Sequence, residues 1–357
     1  MDDIEVIRLE VPERLGDDDA SRDFAEVAEV RNTCEELAYG TPDVGHSVGH
    51  LQRYWADPNE HSRLLGVRID GRIVAYALAS ALIADPSASW LETRVLPEHR
   101  GRGIGTALAD AAEAEARALG STHAVAYVPS ADAAGDTVAP SSGVGALPAH
   151  NPEVRFLIAR GYELEQVVRA SRLELPVDPV ALPEQLGAAD RHAGDDYRAV
   201  SWVGVTPEEW RDDLAVLHTR MSTDAPQSGL GEPEDVWTAA RIAEDDAASV
   251  RAGLAPVTAG AVHVPSGRLI AYTQLIPPID VTRPIEQHDT LVLREHRGHG
   301  LGMLVKLANL ELLAQVRPGH PSILTWNAEE NTHMLAVNER IGFERMGGEG
   351  AWRRELQ

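Results

Sequence analysis

The chain has 357 residues, long enough for two ordinary domains, and a formal net charge of −24 at pH 7 from 32 Lys plus Arg and 56 Asp plus Glu. This charge argues against a nucleic-acid partner, because a phosphate backbone would be repelled overall. The one cysteine, Cys34, excludes an intrachain disulfide and a thiolate-rich zinc site.

The apolar stretches are short, and the longest, at residues 73–84, is too short to span a bilayer. The first residues are acidic and lack the basic region of a secretory signal. We therefore expect a cytoplasmic protein with no membrane partner. We expect a monomer, with a homodimer as the alternative.

The first half of the sequence predicts alternating strands and helices. Asp70 and Gly71 predict a tight turn between two strands, because Asp-Gly between apolar runs is a strong hairpin signal. The predicted elements, in chain order, are a strand at 4–9, a helix at 19–39, strands at 63–68, 72–84 and 90–96, a helix from about 103 to 119, a strand at 123–128, a short helix at 154–160 and a strand at 167–175.

Two segments lack this periodicity. Residues 129–152 are rich in Ala, Gly, Ser, Pro and Asp, which predicts an inserted mobile loop or lid without regular structure. Residues 176–196 contain three prolines and several small residues, which predicts a linker between two domains.

The second half predicts the same order of elements. It begins with a strand at 197–204, and a hairpin is expected across Pro265, Ser266 and Gly267. The remaining predicted elements are helices at 207–221 and 234–253, strands at 257–264, 269–276 and 289–293, a long helix to 316 and a strand at 322–326.

One glycine-rich motif occurs in each half, after a predicted strand and before a predicted helix. It is VLPEHRGRGIG at residues 95–105 and VLREHRGHGLG at 292–302. Glycines allow main-chain N–H groups to approach a ligand, and a helix N-terminus favours an anion. Arg100 and Arg102 add charge suited to phosphate oxygens, and His299 replaces Arg102 in the second copy. The spacing differs from dinucleotide and nucleoside-triphosphate loops.

This motif, Arg-x-x-Gly-x-Gly after a strand that ends in Val-Leu, resembles the acyl-CoA pyrophosphate loop of the GNAT acyltransferase superfamily. The resemblance covers nearly the whole chain as two tandem units. It implies an α/β (α+β) fold of two tandem GNAT domains, residues 1–175 and 197–357, each with a mixed, mostly antiparallel central sheet flanked by helices. The layout is similar to that of tandem family members that pair an active half with an inactive one.

The resemblance also implies that acetyl-CoA, or another acyl-CoA, is the cofactor. In the second half it assigns cofactor binding to Val292, Leu293, Arg297, Gly298, His299, Gly300, Leu301 and Gly302, with Asn327 and Asn331 in a second contacting segment. In the first half it assigns Val95, Leu96, Arg100, Gly101, Arg102, Gly103, Ile104 and Gly105.

Acyl transfer to an amine requires that the nitrogen lose a proton, and a positioned carboxylate is a common solution. Glu92 and Asp289 are offset by 197 residues, as the loops are, so they occupy equivalent positions on the strands before the loops. A solvated surface group is the alternative for each. The family often places a tyrosine four residues before a closing Gly-aromatic pair, where this chain has Leu157 and Asn338. Asn338 could donate a hydrogen bond instead.

Three functions remain open at this stage. The first is an N-acetyltransferase that transfers an acetyl group to a small-molecule amine by direct attack in a ternary complex, with the C-terminal domain as the catalyst. The second is a catalytically silent acyl-CoA sensor or scaffold. The third is an acyltransferase for a larger natural product or antibiotic. No histidine pair has the His-Glu-x-x-His spacing of a metal site, so we expect no metal.

Overall fold

The computed structural model describes residues 4–356. Twelve of its strands form one sheet, in the order β1-β2-β3-β4-β5-β14-β8-β13-β12-β11-β10-β9. The strands are β1 (Ile7–Leu9), β2 (Glu60–Ile69), β3 (Arg72–Leu82), β4 (Ala88–Val95), β5 (His123–Pro129), β6 (Thr137–Val138), β7 (Leu147–Pro148), β8 (Glu163–Glu174), β9 (Tyr197–Val203), β10 (Val257–His263), β11 (Arg268–Ile276), β12 (Ile285–Val292), β13 (Ser322–Ala328) and β14 (Glu344–Glu355).

Only two neighbouring pairs within that large sheet, β4 with β5 and β12 with β13, are parallel. The other neighbours are antiparallel, which confirms the predicted mixed, mostly antiparallel architecture. The predicted hairpin turn is also confirmed. Asp70 and Gly71 have φ values of 50° and 83°, the left-handed pair that a two-residue turn of this kind requires.

The helices pack on both faces of the sheet. They are α1 (Asp19–Tyr39), α2 (Val48–Trp55), α3 (Ile104–Leu119), α4 (Pro152–Ala159), α5 (Ala181–Ala193), α6 (Arg211–Asp224), α7 (Ala239–Arg251), α8 (Leu301–Val316) and α9 (Thr332–Ile341). No helix within residues 4–356 is both long and apolar enough to cross a membrane.

The two halves exchange their last strands. We call residues 4–175 the N-terminal half and 197–356 the C-terminal half. Strand β14, from the end of the chain, lies between β5 and β8, while β8 pairs on its other side with β13. Trp352 of β14 is therefore buried in the core of the N-terminal half, and Leu173 of β8 is buried in the core of the C-terminal half. Each half is completed by a strand of the other.

Where the domains divide stays a prediction, but the segment predicted as a linker is largely helical. Helix α5 forms because Leu182, Leu186, Ala189 and Ala193 recur at helical spacing and pack against the same core as α8. Of the three prolines in this segment, Pro176 and Pro179 precede the helix and Pro183 lies within its first turn, where a missing N–H is tolerated. The helix matters for the site, because α5 forms part of it.

The inserted segment at residues 129–152 is irregular apart from two short paired strands, β6 and β7. Leu147 is nevertheless only 3% exposed and joins the core of the N-terminal half. The segment is also anchored by Ser141, whose backbone N–H donates to the carbonyl of Leu164 at 2.9 Å. Asn151 Nδ2 joins the two ends of the segment through Ser130 Oγ and the carbonyl of Ala131. The segment is thus largely irregular, as expected, and its mobility stays a prediction.

The only lysine of the chain, Lys306, is buried in α8, where its Nζ lies 3.1 Å from Gln287 Oε1. Burial disfavours the charged ammonium and lowers the pKa of Lys306 to about 7. In the unfolded chain the pKa of a lysine is about 10.4. Between these values the unfolded state binds the extra proton, so the free energy of unfolding should rise with pH.

We predict that Lys306→Met raises the free energy of unfolding near pH 7 by about 2 kcal/mol, because no ammonium is then desolvated. It should also remove the part of the pH dependence between about pH 7 and 10 that Lys306 causes. Urea unfolding of both proteins at pH 7, 8 and 9 measures the difference. An equal pH dependence in wild type and variant would contradict the account.

Candidate active site

Each half contains two parallel strands that pair at one end and then separate. In the C-terminal half, β12 pairs with β13 at only two positions, Ile285 with Ile323 and Glu286 with Leu324. In the N-terminal half, β4 pairs with β5 only from Ala88 to Trp90. Beyond these points the strands carry no mutual hydrogen bonds, so each half has an opening in its sheet that leads to its glycine-rich loop.

The two loops have the same conformation. Gly101 and Gly103 have φ values of 73° and 86°, and Gly298 and Gly300 have 90° and 69°. These left-handed positions explain the glycines, since an L side chain is strained there. Helices α3 and α8 begin directly after the loops, and neither has a side-chain cap within the described residues. Their first N–H groups are therefore available to an anion.

Arg100 and Arg297, at equivalent positions of the two motifs, each hydrogen-bond to the backbone of their own loop. Arg100 Nε donates to the carbonyl of Val95 at 2.9 Å, and Arg297 Nε donates to that of Val292 at 3.0 Å. Arg297 also pairs with Asp224 at 2.9 Å. Cofactor binding by Arg100 and Arg297 stays a prediction, and these bonds involve only the Nε atom of each side chain. Arg102 is exposed and stays a candidate.

The loop of the C-terminal half opens into a cavity of about 960 Å³. Helix α5 forms one wall and contributes His192, whose ring lies so close to Gly300 that a Cβ there would be 2.6 Å from it. The cavity is lined by Gln185, Ala188, Ala189, His192, Met221, Asp224, Ala225, Pro226, Thr290, Leu291, Val292, His296, Arg297, Gly298, Gly300, Leu301, Gly302, Met303, Leu307, Asn331, His333, Met334, Val337 and Arg340.

Many of the sequence-predicted cofactor residues of the C-terminal half are brought together by this cavity. Those that line it are Val292, Arg297, Gly298, Gly300, Leu301, Gly302 and Asn331. Leu293, His299 and Asn327 do not line it. His299 instead packs its ring against Tyr197, with centroids 5.0 Å apart. Asn331 Oδ1 also caps α9 by accepting from Met334 N.

In the N-terminal half, the equivalent space is occupied by side chains. A Cβ at Gly105 would lie 3.6 Å from Val95 and 3.9 Å from the ring of Phe156, whereas a Cβ at Gly302 would meet nothing within 4 Å. Leu147 and Val138 of the inserted segment pack into the same core as Phe156. Phe156 and Val95 thus lie close to the start of α3, beside the cofactor residues predicted in this half, which are Val95, Leu96, Arg100, Gly101, Arg102, Gly103, Ile104 and Gly105.

The two strands of the N-terminal opening are also tied together from the C-terminal half. Glu232, in the connection between α6 and α7, accepts hydrogen bonds from Trp90 Nε1 at 2.7 Å and from the Tyr127 hydroxyl at 3.1 Å. Trp90 is on β4 and Tyr127 is on β5. Leu230, fully buried in the same connection, packs against Val125. The opening of the N-terminal half is closed on this side as well.

Asp289 lies on β12 beside two aromatic side chains. Its Oδ2 accepts a hydrogen bond from the Tyr272 hydroxyl at 2.8 Å and is 3.8 Å from His218 Nδ1. Burial lowers the pKa of His218 to about 4, although the carboxylate of Asp289 opposes the shift. The imidazole is therefore neutral near pH 7, and it does not neutralise the charge of Asp289.

A β-bulge places Asp289 in this position. Thr273 pairs with Thr290 and Leu275 pairs with Gln287, so two residues of β12 face the single residue Gln274. The carbonyl of Gln274 instead accepts a hydrogen bond from Gln287 Nε2. A bulge leaves one residue outside the ladder and re-aims the adjacent side chain. Strand β4 of the N-terminal half pairs with β3 without any such shift.

Glu92 occupies the equivalent position but has a different environment. It accepts a hydrogen bond from Tyr76, the counterpart of Tyr272. Unlike Asp289, Glu92 is also paired with two cations. Its Oε1 atom is 3.8 Å from Arg31 Nε and 3.6 Å from Arg94 Nη2. Both arginine side chains are largely buried. The carboxylate of Glu92 is thus engaged in a structural ion-pair network.

Asn338 and Asn327 contact each other. Asn338 Nδ2 donates to Asn327 Oδ1 at 2.7 Å, and Asn338 is only 1% exposed. The Oδ1 atom of Asn338 has no hydrogen-bond partner among the described residues. The structure therefore places both predicted asparagines behind the cavity wall, where they support the wall and do not line the cavity.

His218, Tyr272, Arg31 and the residues of α5 were not predicted as site residues. A signal for the tyrosine was present, because Gly-Arg-x-x-Ala-Tyr occurs at residues 71–76 and again at 267–272. No repeat marks His218, since its structural counterpart beside Glu92 is an arginine. The role of α5 depends on packing between distant segments, which a local pattern does not reveal.

Comparison with known proteins agrees with this geometry. Residues 24–135 match the model of the acetyltransferase (GNAT) family. No curated protein matches the sequence. A tandem GNAT protein from the clavulanic acid biosynthesis pathway, solved without AcCoA, is similar in structure, with a TM-score of 0.71, 23% identity and 99% of each chain covered. A GCN5-related N-acetyltransferase from Sphaerobacter thermophilus has a TM-score of 0.61 and 17% identity, with 94% of this chain and 93% of that chain covered.

The chain therefore contains a GNAT acetyltransferase family domain, and as a whole it has the fold of a tandem GNAT protein. The match to the family includes the loop of the N-terminal half.

We predict that Gly302→Leu weakens the binding of acetyl-CoA by about tenfold or more, because the new side chain enters the cavity in front of the α8 N-terminus. Folding should be retained, since leucine is a better helix former than glycine. Calorimetric titration measures the affinity. Gly105→Ala in the N-terminal half is the control, because its added carbon would make only ordinary contacts. A loss of affinity in Gly105→Ala and not in Gly302→Leu would contradict the assignment of acetyl-CoA to the C-terminal half.

Proposed function

We propose that the chain is an acyl-CoA-dependent N-acyltransferase whose C-terminal half transfers an acetyl group to the amine of a small molecule. The observation that carries the proposal is the contrast between the halves. The C-terminal half combines an open cavity at its loop with a carboxylate that no cation neutralises among the described residues, whereas in the N-terminal half Phe156 lies beside the helix after the loop and Glu92 is paired with two arginines.

The residues present fit an acyl-CoA. The uncapped N-terminus of α8 and the left-handed glycines of its loop suit the pyrophosphate, and Val292, Leu301 and Met303 give the cavity apolar walls. When bound, the cofactor supplies the acyl group on its thioester. Arg102 has no equivalent cation in this loop, so the phosphate interaction depends mainly on backbone N–H groups and the helix dipole.

Asp289 is the group that holds a proton in the reaction. An aliphatic ammonium must lose a proton before its nitrogen can attack, and a carboxylate that keeps its negative charge both attracts the ammonium and accepts that proton. Tyr272 orients the carboxylate through its hydrogen bond. On the other side, Asp289 Oδ2 lies 3.8 Å from Nδ1 of His218, whose neutral ring is stacked on Trp237 with centroids 4.5 Å apart.

The β-bulge at His288 and Asp289 is a further argument that the C-terminal half is the catalyst. Because one residue is left outside the ladder, a backbone N–H of β12 is free of its usual strand partner. Such a group is suited to hydrogen-bond a carbonyl oxygen as negative charge develops on it. The β3–β4 ladder contains no such bulge.

We predict that Asp289→Asn lowers kcat/KM by about 100-fold with acetyl-CoA affinity nearly unchanged, because the amide cannot accept the amine proton. Release of free CoA thiol in the presence of a panel of small amines measures turnover. Glu92→Gln is the matched control at the equivalent position, and its turnover should remain near that of wild type. An equal loss in both variants would refute the division of roles.

The acyl-CoA sensor is the second candidate, and a specific observation favours it. Neither Leu157 nor the buried Asn338 can supply a proton to a leaving thiolate. A sensor would bind acetyl-CoA in the C-terminal half without any turnover across the amine panel. A larger acceptor, as in the third hypothesis, would show turnover only with bulky amines. A cytoplasmic location and a monomeric state stay predictions of the sequence.

A further inference from the structure

A second cluster of polar side chains lies where the two halves meet. His46 precedes α2, His50 is in its first turn, and Glu286 is at the start of β12. One potential ligand atom from each lies within 4.8 Å of the other two. His50 Nε2 and Glu286 Oε2 are 3.9 Å apart. None of the three residues lines the cavity of the C-terminal half.

Rigid elements position all three residues. The backbone of His46 is held on both sides by Asn32, whose Oδ1 accepts from His46 N at 2.9 Å and whose Nδ2 donates to His46 O at 2.8 Å. Ser47 caps α2 by accepting from His50 N at 3.1 Å. Glu286 is fixed by strand pairing to Ile276 on one side and Leu324 on the other. The cluster is therefore built on fixed backbone, as a binding site requires.

The donor set has the chemistry of a transition-metal site. Two imidazoles and one carboxylate are a common set of three protein ligands for Zn²⁺, with a fourth position open to water. Ligand atoms around such an ion are roughly 3.4 Å apart, given bonds of about 2.1 Å. The rings of His46 and His50 are stacked, with centroids 4.1 Å apart and planes at 5°. Rotation of one ring is thus needed to direct both nitrogens at one ion.

The surrounding charges are mixed. Arg31 and Arg283 act on His46 as nearby positive charges, which favours hydroxide or another anion in the fourth position. His288 Nε2 is 3.9 Å from the other oxygen of Glu286 and is a further possible ligand.

We propose that His46, His50 and Glu286 bind a divalent transition-metal ion of the Zn²⁺ type, which joins the N-terminal half to β12 of the C-terminal half. Glu286 is the last residue of β12 that pairs with β13, three residues before Asp289. An ion held there fixes the point at which these two strands separate. The inference does not depend on the proposed acyltransferase activity.

The test uses the full chain after treatment with a chelator, titrated with Co²⁺ and, separately, with Zn²⁺. We expect one ion per chain, visible absorption typical of low-coordinate Co²⁺, and a rise in Tm on adding Zn²⁺. His50→Gln and Glu286→Gln should each weaken Co²⁺ binding by at least about tenfold and abolish the rise in Tm.

His61→Gln is the matched control, because His61 is an exposed histidine on β2 of the same half. It should bind Co²⁺ as the wild type does. Thermal unfolding without metal checks that each variant folds. The proposal is overturned if wild type binds no ion, if folded His50→Gln keeps the absorption, or if His61→Gln loses binding to the same extent.

Discussion

The structure depends on the exchange of terminal strands between the halves. Because β14 completes the sheet of the N-terminal half and β8 completes that of the C-terminal half, neither half has a full sheet alone. Trp352, 1% exposed, is buried among residues of the other half. The connection between α6 and α7 packs on the N-terminal half, where Leu230 is buried against Val125. The connection between α1 and α2 packs on the C-terminal half, where Val44 is buried with Leu324. Two copies of one fold thereby form one unit with a continuous sheet.

Within that unit the halves have diverged at a few contacts. Phe156 fills the space that Val337 leaves open, and Arg31 lies where His218 lies in the other half. These changes give the N-terminal half a packed core and a satisfied ion-pair network, and they leave the C-terminal half with a cavity and an unneutralised acid. A duplicated loop therefore need not mean a duplicated activity. The N-terminal half contributes strand β8, segments that cover the C-terminal half, and two of the three residues of the proposed metal site.

Much of this fold could be predicted from the sequence, because the repeated motif is local. The glycines of the motif predicted the loop, and the common offset of 197 residues predicted that Glu92 and Asp289 are equivalent.

The packing between distant residues could not be predicted. Strand β14 contains Gly347 and Gly350, which weaken a strand signal but leave room for Tyr39 and Trp352. Helix α5 was concealed by the prolines in and before it, and the ion pair of Glu92 with Arg31 requires a distant element, α1. The histidine cluster was missed because its third member, Glu286, is 236 residues beyond His50 in the sequence.

The central claim is that one chain with two copies of the loop has one working site. The most direct test is to count the acetyl-CoA molecules bound per chain in the unmodified protein, by native mass spectrometry at increasing concentrations of acetyl-CoA and by calorimetric stoichiometry. The account predicts that binding saturates at one molecule per chain. Saturation at two molecules would contradict the filled N-terminal half, and no binding at any concentration would contradict the assignment of the cavity.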